Sequence, residues 1–160
     1  MGRPRRSQNN REKLLNCGAN AFIKQGYHGT GIQEVVERVR VPKGSFYNYF
    51  ESKEGFGAEV IRQYTQQYVT NMDALLSEPN VDALSALKYF FEAEIQRHEA
   101  GREGCLLGNL GAELGESSEL CRQALSEGLQ TMQQRFRLYL VMDPFWQWGP
   151  ESLLGVVSGL

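Results

Sequence analysis

Between Thr30 and Phe50 the chain reads TGIQEVVERVRVPKGSFYNYF, and Pro42 decides what that stretch can become. Proline lacks a backbone N–H and pushes the preceding residue out of the helical region, yet it suits the first turn of a new helix. The stretch therefore divides into two short helices, with a tight turn at Arg40-Val41-Pro42. Ile32, Val35, Val36 and Val39 fall at i, i+3, i+4 and i+7, which buries one face of the first helix. Thr30 is expected to cap it, with Gln33 returning the bond as a capping box.

The second helix, expected over 43–50, puts Phe46 and Phe50 on one side and Gly44, Ser45 and Asn48 on the other, flanked by Tyr47 and Tyr49. Gly44 permits close approach of a partner backbone. Ser45 and Asn48 are short enough to meet base edges, and the tyrosine hydroxyls can reach phosphates. Such a helix fits a DNA major groove. Taken alone, it equally fits a small amphipathic helix whose polar face meets water.

Charge separates these readings. Residues 1–53 hold ten basic side chains against four acidic ones and the remainder holds seven against fifteen, so a net charge of −2 conceals a cationic head on an anionic body. Phosphate contact explains that asymmetry economically. The opening arm over 1–10 has no apolar residue after Met1 to anchor it, and its Arg3, Arg5 and Arg6 can enter an adjacent minor groove. It lacks the apolar run that a secretory signal requires.

With a helix over about 11–25 ahead of it, the segment GYHGTGIQEVVERVRVPKGSFYNYFESKEGF resembles the DNA-binding domain of TetR-family transcriptional regulators. Gly26, Thr30, the helix-turn-helix, the Tyr-x-Tyr-Phe ending and the following Ser-Lys-Glu occur in the expected order. The resemblance implies an all-α fold. A three-helix DNA-binding head over 1–53 would join, through a long helix 4, a helical ligand-binding and dimerisation body over 54–160. It implies DNA contacts at Thr30, Lys43, Gly44, Ser45, Tyr47, Asn48 and Tyr49, with Lys53 on a phosphate. The implied partners are a double-stranded operator, a second copy of the chain and an unidentified small-molecule inducer, all in a bacterial cytoplasm.

Periodicity outlines the rest. The first helix turns Leu14, Leu15, Gly18, Ala19, Phe22 and Ile23 inward and stops at Gly26. A long helix follows from Ser52 to about Leu76, striped by Phe56, Val60, Tyr64, Tyr68, Met72 and Leu75; it would be about 35 Å long. The next helix, about 81–99, is expected to bury Leu84, Leu87, Phe91 and Ile95. A further one from Ser117 or Ser118 is expected to bury Leu120, Ala124, Leu125, Leu129, Met132, Phe136 and Leu140 before Asp143-Pro144 ends it. Phe145-Trp146-Gln147-Trp148 suits core packing, a cavity wall or a subunit interface. Pro150 opens a last apolar helix that runs to Leu160. The family pattern would extend this eighth helix and add a ninth to form the dimer interface, so the sequence reads as ending inside its dimerisation element.

The segment GREGCLLGNLGAELGESSELCRQAL resembles a subset of the family that includes regulators of N-ethylmaleimide reductase and of acrylate utilisation, where Gly-Cys-Leu opens helix 6. Cys105 there, near Arg102 and a helix N-terminus, is placed to favour thiolate and to sense oxidants or electrophiles. A small packed residue is the alternative. Candidate inducer contacts are Tyr64, Tyr68, Cys105, Asn109 and Glu113. Three cysteines without a secretory signal argue against a disulfide framework, and the two histidines stand at no metal-ligand interval from a cysteine pair. No cofactor or metal is expected. An enzyme would need a nucleophile, a base and an orienting group that this sequence does not assemble. The competing reading is a helical protein-interaction module, or a non-dimerising piece of a regulator that does not bind an operator.

Overall fold

The computed structural model describes residues 4–77, 81–101, 104–114 and 118–142. Among the described residues it is all-α: α1 (Pro4–Gln25), α2 (Ile32–Val39), α3 (Lys43–Phe46), α4 (Lys53–Leu76), α5 (Ala83–Gly101), α6 (Leu106–Leu114) and α7 (Glu119–Met142). Arg3, Arg102, Phe145-Trp146-Gln147-Trp148 and the expected last helix lie outside the described residues, as do the side chains of Arg5 and Arg6.

The head departs from its sequence outline in three places. α1 begins at Pro4 instead of Arg11, so the basic arm is helical from its fourth residue; proline suits helix entry, and nothing over 5–10 breaks the run. The capping box at α2 does not form. Gly31 is the N-cap and makes no side-chain bond, while Gln33 pairs with Glu37. Thr30 is buried and its hydroxyl donates to the Gly26 carbonyl at 2.7 Å, closing the α1–α2 turn instead. Finally, α3 is one helical turn and not a helix over 43–50. Tighter i→i+3 bonds take over, with Asn48 N–H donating to the Ser45 carbonyl and Tyr49 N–H to that of Phe46. The expected breaks do occur: Gly26 takes a left-handed φ of 76° after α1, and Arg40 takes 58° after α2.

α4 starts where Ser52 caps it, the hydroxyl accepting from Gly55 N–H at 3.0 Å. Just inside, Phe56 is 1% exposed, and its ring lies 5.9, 5.1 and 4.9 Å from those of Phe22, Phe46 and Phe50. Gly18 makes room for it on α1, since a Cβ there would stand 2.4 Å from Phe56 Cζ. The same core continues through Leu106, Leu110 and Leu114 to Cys121, Ala124 and Leu125, so it crosses the head–body boundary expected at 53. Farther along, α4 buries Val60 and Met72 as expected, and Ile61, Thr65 and Val69 as well; Tyr64, Tyr68 and Leu75 are half-buried.

α7 runs parallel to α4, from Glu54 beside Ser118 to Asp73 beside Arg135, in the most extensive helix pairing among the described residues. Arg62 meets Glu127 at 3.3 Å, and Asp73 meets Arg135 at 3.2 Å and the Tyr139 hydroxyl at 2.9 Å. Small residues set the seam: a Cβ on Gly128 would stand 2.6 Å from Thr65 Oγ1, and one on Gly57 would stand 3.0 Å from Cys121 Sγ. This close approach turns Cys121, Ala124, Leu125 and Gly128 inward and corrects the expected stripe, leaving Leu120, Leu129 and Leu140 exposed. α5 needs a similar correction. It buries Ala86, Leu87, Phe90 and Glu94, while Leu84, Phe91 and Ile95 are exposed. The Phe90 ring packs edge-on against Tyr68 of α4 at 5.1 Å, and Phe91 is left to stack on Phe136 at 5.5 Å.

Because Phe56 belongs to a core shared by head and body, Phe56→Ala is expected to destabilise the whole chain by about 3–5 kcal/mol. Urea unfolding followed by far-UV circular dichroism should show a lower midpoint in a single transition.

Candidate nucleic-acid interface and regulatory cluster

The turn after Pro42 and the two rings behind it build the interface. Phe46 and Phe50 are 0% and 3% exposed and lie 5.1 Å apart, which fixes the rotation of the short segment about its axis. Lys43, Gly44, Tyr47 and Asn48 consequently face solvent, with Ser45 half-buried among them. A Cβ added to Gly44 would meet no atom within 4 Å, so that edge stands clear of the rest of the chain. Tyr49 is half-buried and packs against the core, so only part of it remains for an outside partner. Arg40, read from the sequence only as part of the helix break, is exposed just before this edge.

Thr30 and Lys53 stand differently. The Thr30 hydroxyl is held inside the α1–α2 turn, which removes it from the outward-facing set. Lys53 places its ammonium 4.5 Å from the centroid of the Tyr27 ring. Burial lowers its pKa, and the nearby Glu113 carboxylate acts in the opposite sense.

Glu113, a candidate inducer contact, instead ties body to head. Its Oε2 accepts from Tyr27 N–H at 2.8 Å and its Oε1 from His28 N–H at 2.7 Å. One carboxylate on α6 thus receives two backbone donors of the turn that follows α1. Gly26 leaves room for it, since a Cβ there would stand 2.7 Å from Oε2. Glu54, which periodicity did not single out, makes the matching tie at the start of α7. Its Oε1 accepts from the Ser118 hydroxyl at 2.7 Å and from Leu120 N–H at 3.3 Å, a charge placement that the helix dipole favours.

The other candidates divide. Tyr64 and Tyr68, one turn apart on α4, face α5, and Tyr64 lies close to Cys105 immediately ahead of α6. Burial pushes both hydroxyls up to about 12, with Cys105 and Glu94 nearby adding to it, so both remain neutral donors near neutral pH. Asn109 is exposed and lies beside Gly104. Glu94, absent from the sequence candidates, is 7% exposed and belongs to the cluster. Its signal in the sequence was a carboxylate followed at i+3 and i+4 by Arg97 and His98 on one helix face. Cys121 is fully buried, and burial raises its thiol pKa; Cys17 is half-buried, and burial raises its pKa too.

This geometry defines a helix-turn-helix unit clamped to a helical body. Residues 14–60 match the family model described as bacterial regulatory proteins, tetR family. The structure of regulatory protein TetR from Rhodobacter sphaeroides is 32% identical, with a TM-score of 0.73 over 81% of this chain and 69% of that one. The chain belongs to the tetR family of bacterial regulatory proteins. Its relatives include the HTH-type transcriptional repressor DhaR of Mycobacterium sp. (strain GP1), 35% identical over 72% of this chain. The HTH-type transcriptional repressor NemR of Escherichia coli (strain K12) is 31% identical over 74% of it. The reduced form of E. coli NemR gives a TM-score of 0.75 at 28% identity, over 82% of this chain and 69% of that one. The chain spans 57% of the length of DhaR and 60% of that of NemR. No helix among the described residues is long and apolar enough to cross a membrane.

Removing the carboxylate in Glu113→Ala is expected to lower stability by about 1–3 kcal/mol. It should also accelerate hydrogen exchange at the Tyr27 and His28 amides while leaving the α4–α7 seam protected, which residue-resolved exchange can measure.

Proposed function

We propose that this protein is a DNA-binding transcriptional regulator, not an enzyme, which represses by occupying a pseudo-palindromic operator in the bacterial cytoplasm. The observation that carries the reading is the outward edge of Lys43, Gly44, Ser45, Tyr47 and Asn48, backed by the buried rings of Phe46 and Phe50. Two copies of the chain would seat this edge in successive major grooves about 34 Å apart. Ser45 and Asn48 read base edges, Lys43 and the tyrosine hydroxyls hold phosphates, and Arg3, Arg5 and Arg6 follow an adjacent minor groove. Repression is supported by the names of DhaR and NemR, both transcriptional repressors.

The body answers to a small molecule. An effector lodged between α4 and α5 favours one placement of α4 over another, and the Phe56 ring and the Glu113 tie pass that preference to the head. Cys105 gives the same cluster a covalent version. Its thiolate, having lost its proton to solvent, adds to the β-carbon of an α,β-unsaturated carbonyl. The C–S bond forms as the C=C π bond breaks, and the enolate takes a proton from water. Exposure at Cys105, against burial at Cys121, supports that choice of thiol.

Selection of bound duplexes from a random pool, with the mass in solution measured alongside, tests the reading directly. The Ser45→Ala/Asn48→Ala variant is expected to lose about 10–100-fold of its preference for the selected duplex. Lys43→Ala should weaken binding to all duplexes alike and reduce the salt slope by about one. Unchanged preference in the double variant would remove the base-reading assignment. In parallel, N-ethylmaleimide is expected to release the duplex from the unaltered protein but not from Cys105→Ser; equal release from both would discard the thiol switch.

A further inference from the structure

α4 and α5 cross so that residues one turn apart on each helix face one another. Tyr68 meets Phe90 ring to ring at 5.1 Å, and one turn along each helix Glu94 lies within electrostatic reach of Tyr64, and of Tyr68 too. Glu94 is 7% exposed, a burial that a carboxylate tolerates only with compensation. Its Oε1 is compensated by Arg97 at 2.8 Å, whose side chain is 61% exposed. Its Oε2 is buried and has no hydrogen-bond partner among the described residues. His98 Nε2 stands 3.9 Å from Oε2, beyond hydrogen-bonding distance.

A buried carboxylate oxygen with unused lone pairs destabilises the fold unless something meets it. Around it stand Tyr64, Tyr68 and Phe90, which present aromatic surface and hydroxyl groups. Negative charge beside aromatic rings is the chemistry that receives a positively charged nitrogen carrying hydrocarbon. We propose that Glu94, with Tyr64, Tyr68 and Phe90, forms the effector site for an organic ammonium ion, whose N–H meets Glu94 Oε2 and whose hydrocarbon lies along the rings. The inference rests on the reading of the body as an effector-binding unit and assigns that effector a charge. Arg97 competes for the same carboxylate from the solvent side, so it weakens the site without occupying it.

The test uses the full chain, with benzylammonium and its neutral counterpart benzyl alcohol as probes in calorimetric titrations at pH 7. The unaltered protein is expected to bind benzylammonium at least tenfold more tightly than benzyl alcohol, and Glu94→Gln should erase that difference. Arg97→Ala should strengthen benzylammonium binding severalfold, a change of sign that a purely structural role for Glu94 does not produce. Absence of preference in the unaltered protein overturns the assignment, as does a preference that survives Glu94→Gln. If circular dichroism shows Glu94→Gln unfolded, Arg97→Ala decides, and unchanged or weaker binding there overturns it. Duplex binding without ligand is measured on the same samples. Loss of duplex binding with ammonium selectivity intact sinks the regulator reading alone, and the reverse sinks only the ammonium site.

Discussion

The ring of Phe56 stands where three otherwise separate pieces of chain need the same buried volume. Phe22 of α1 and the Phe46 and Phe50 rings beside the outward edge all pack on it. It does so from the first turn of the helix that goes on to face α5 and α7. Orientation of the outward edge is thus set from beneath by a residue of α4. Close-packed aromatic cores adjust in discrete steps and do not deform smoothly, so the edge and the long helix share one geometry.

Two carboxylates add direction to that shared core. Glu113 reaches from α6 to two amides of the turn after α1, and Glu54 reaches from α4 to the donors at the start of α7. Each joins segments far apart in sequence, and Glu54 places its negative charge at the start of α7, where backbone N–H groups point outward. The apolar contacts give the molecule cohesion, and these ionic ones define which end of α6 and α7 sits against the head.

Legibility in the sequence followed the locality of the cause. The break at Pro42, the stops at Gly26 and Arg40, the Ser52 cap and the inward rings of Phe46 and Phe50 rest on one or two neighbouring residues, and all were readable. The inward faces of α5 and α7 were readable only in part, at Leu87, Ala124 and Leu125. Each carries more apolar residues than one face can hold: Phe90 and Phe91 are adjacent, as are Leu120 and Cys121, and the partner helix chooses among them. Thr30 had the right chemistry for a cap, but Gly31 took that position while the hydroxyl turned to Gly26. Glu113 reads in the sequence only as a polar pocket candidate, because its actual partners are backbone amides 86 and 85 residues away. Of the proposed contacts, those on the outward edge could be read from period alone, whereas Glu94 was hidden by the misplaced face of α5.

The glycine notches along α4 carry a further mechanical implication. Gly57 lies under Tyr27 and Cys121, and Gly128 receives Thr65, so α4 and α7 are keyed together at two separate heights. A small axial slip would drive side chains into backbone at both keys at once, and the next matching position is a full helical turn away, about 5.4 Å. The pair therefore behaves like a pawl resting on one tooth: α4 and α7 tilt as a single lever or stay still, and intermediate settings are mechanically forbidden.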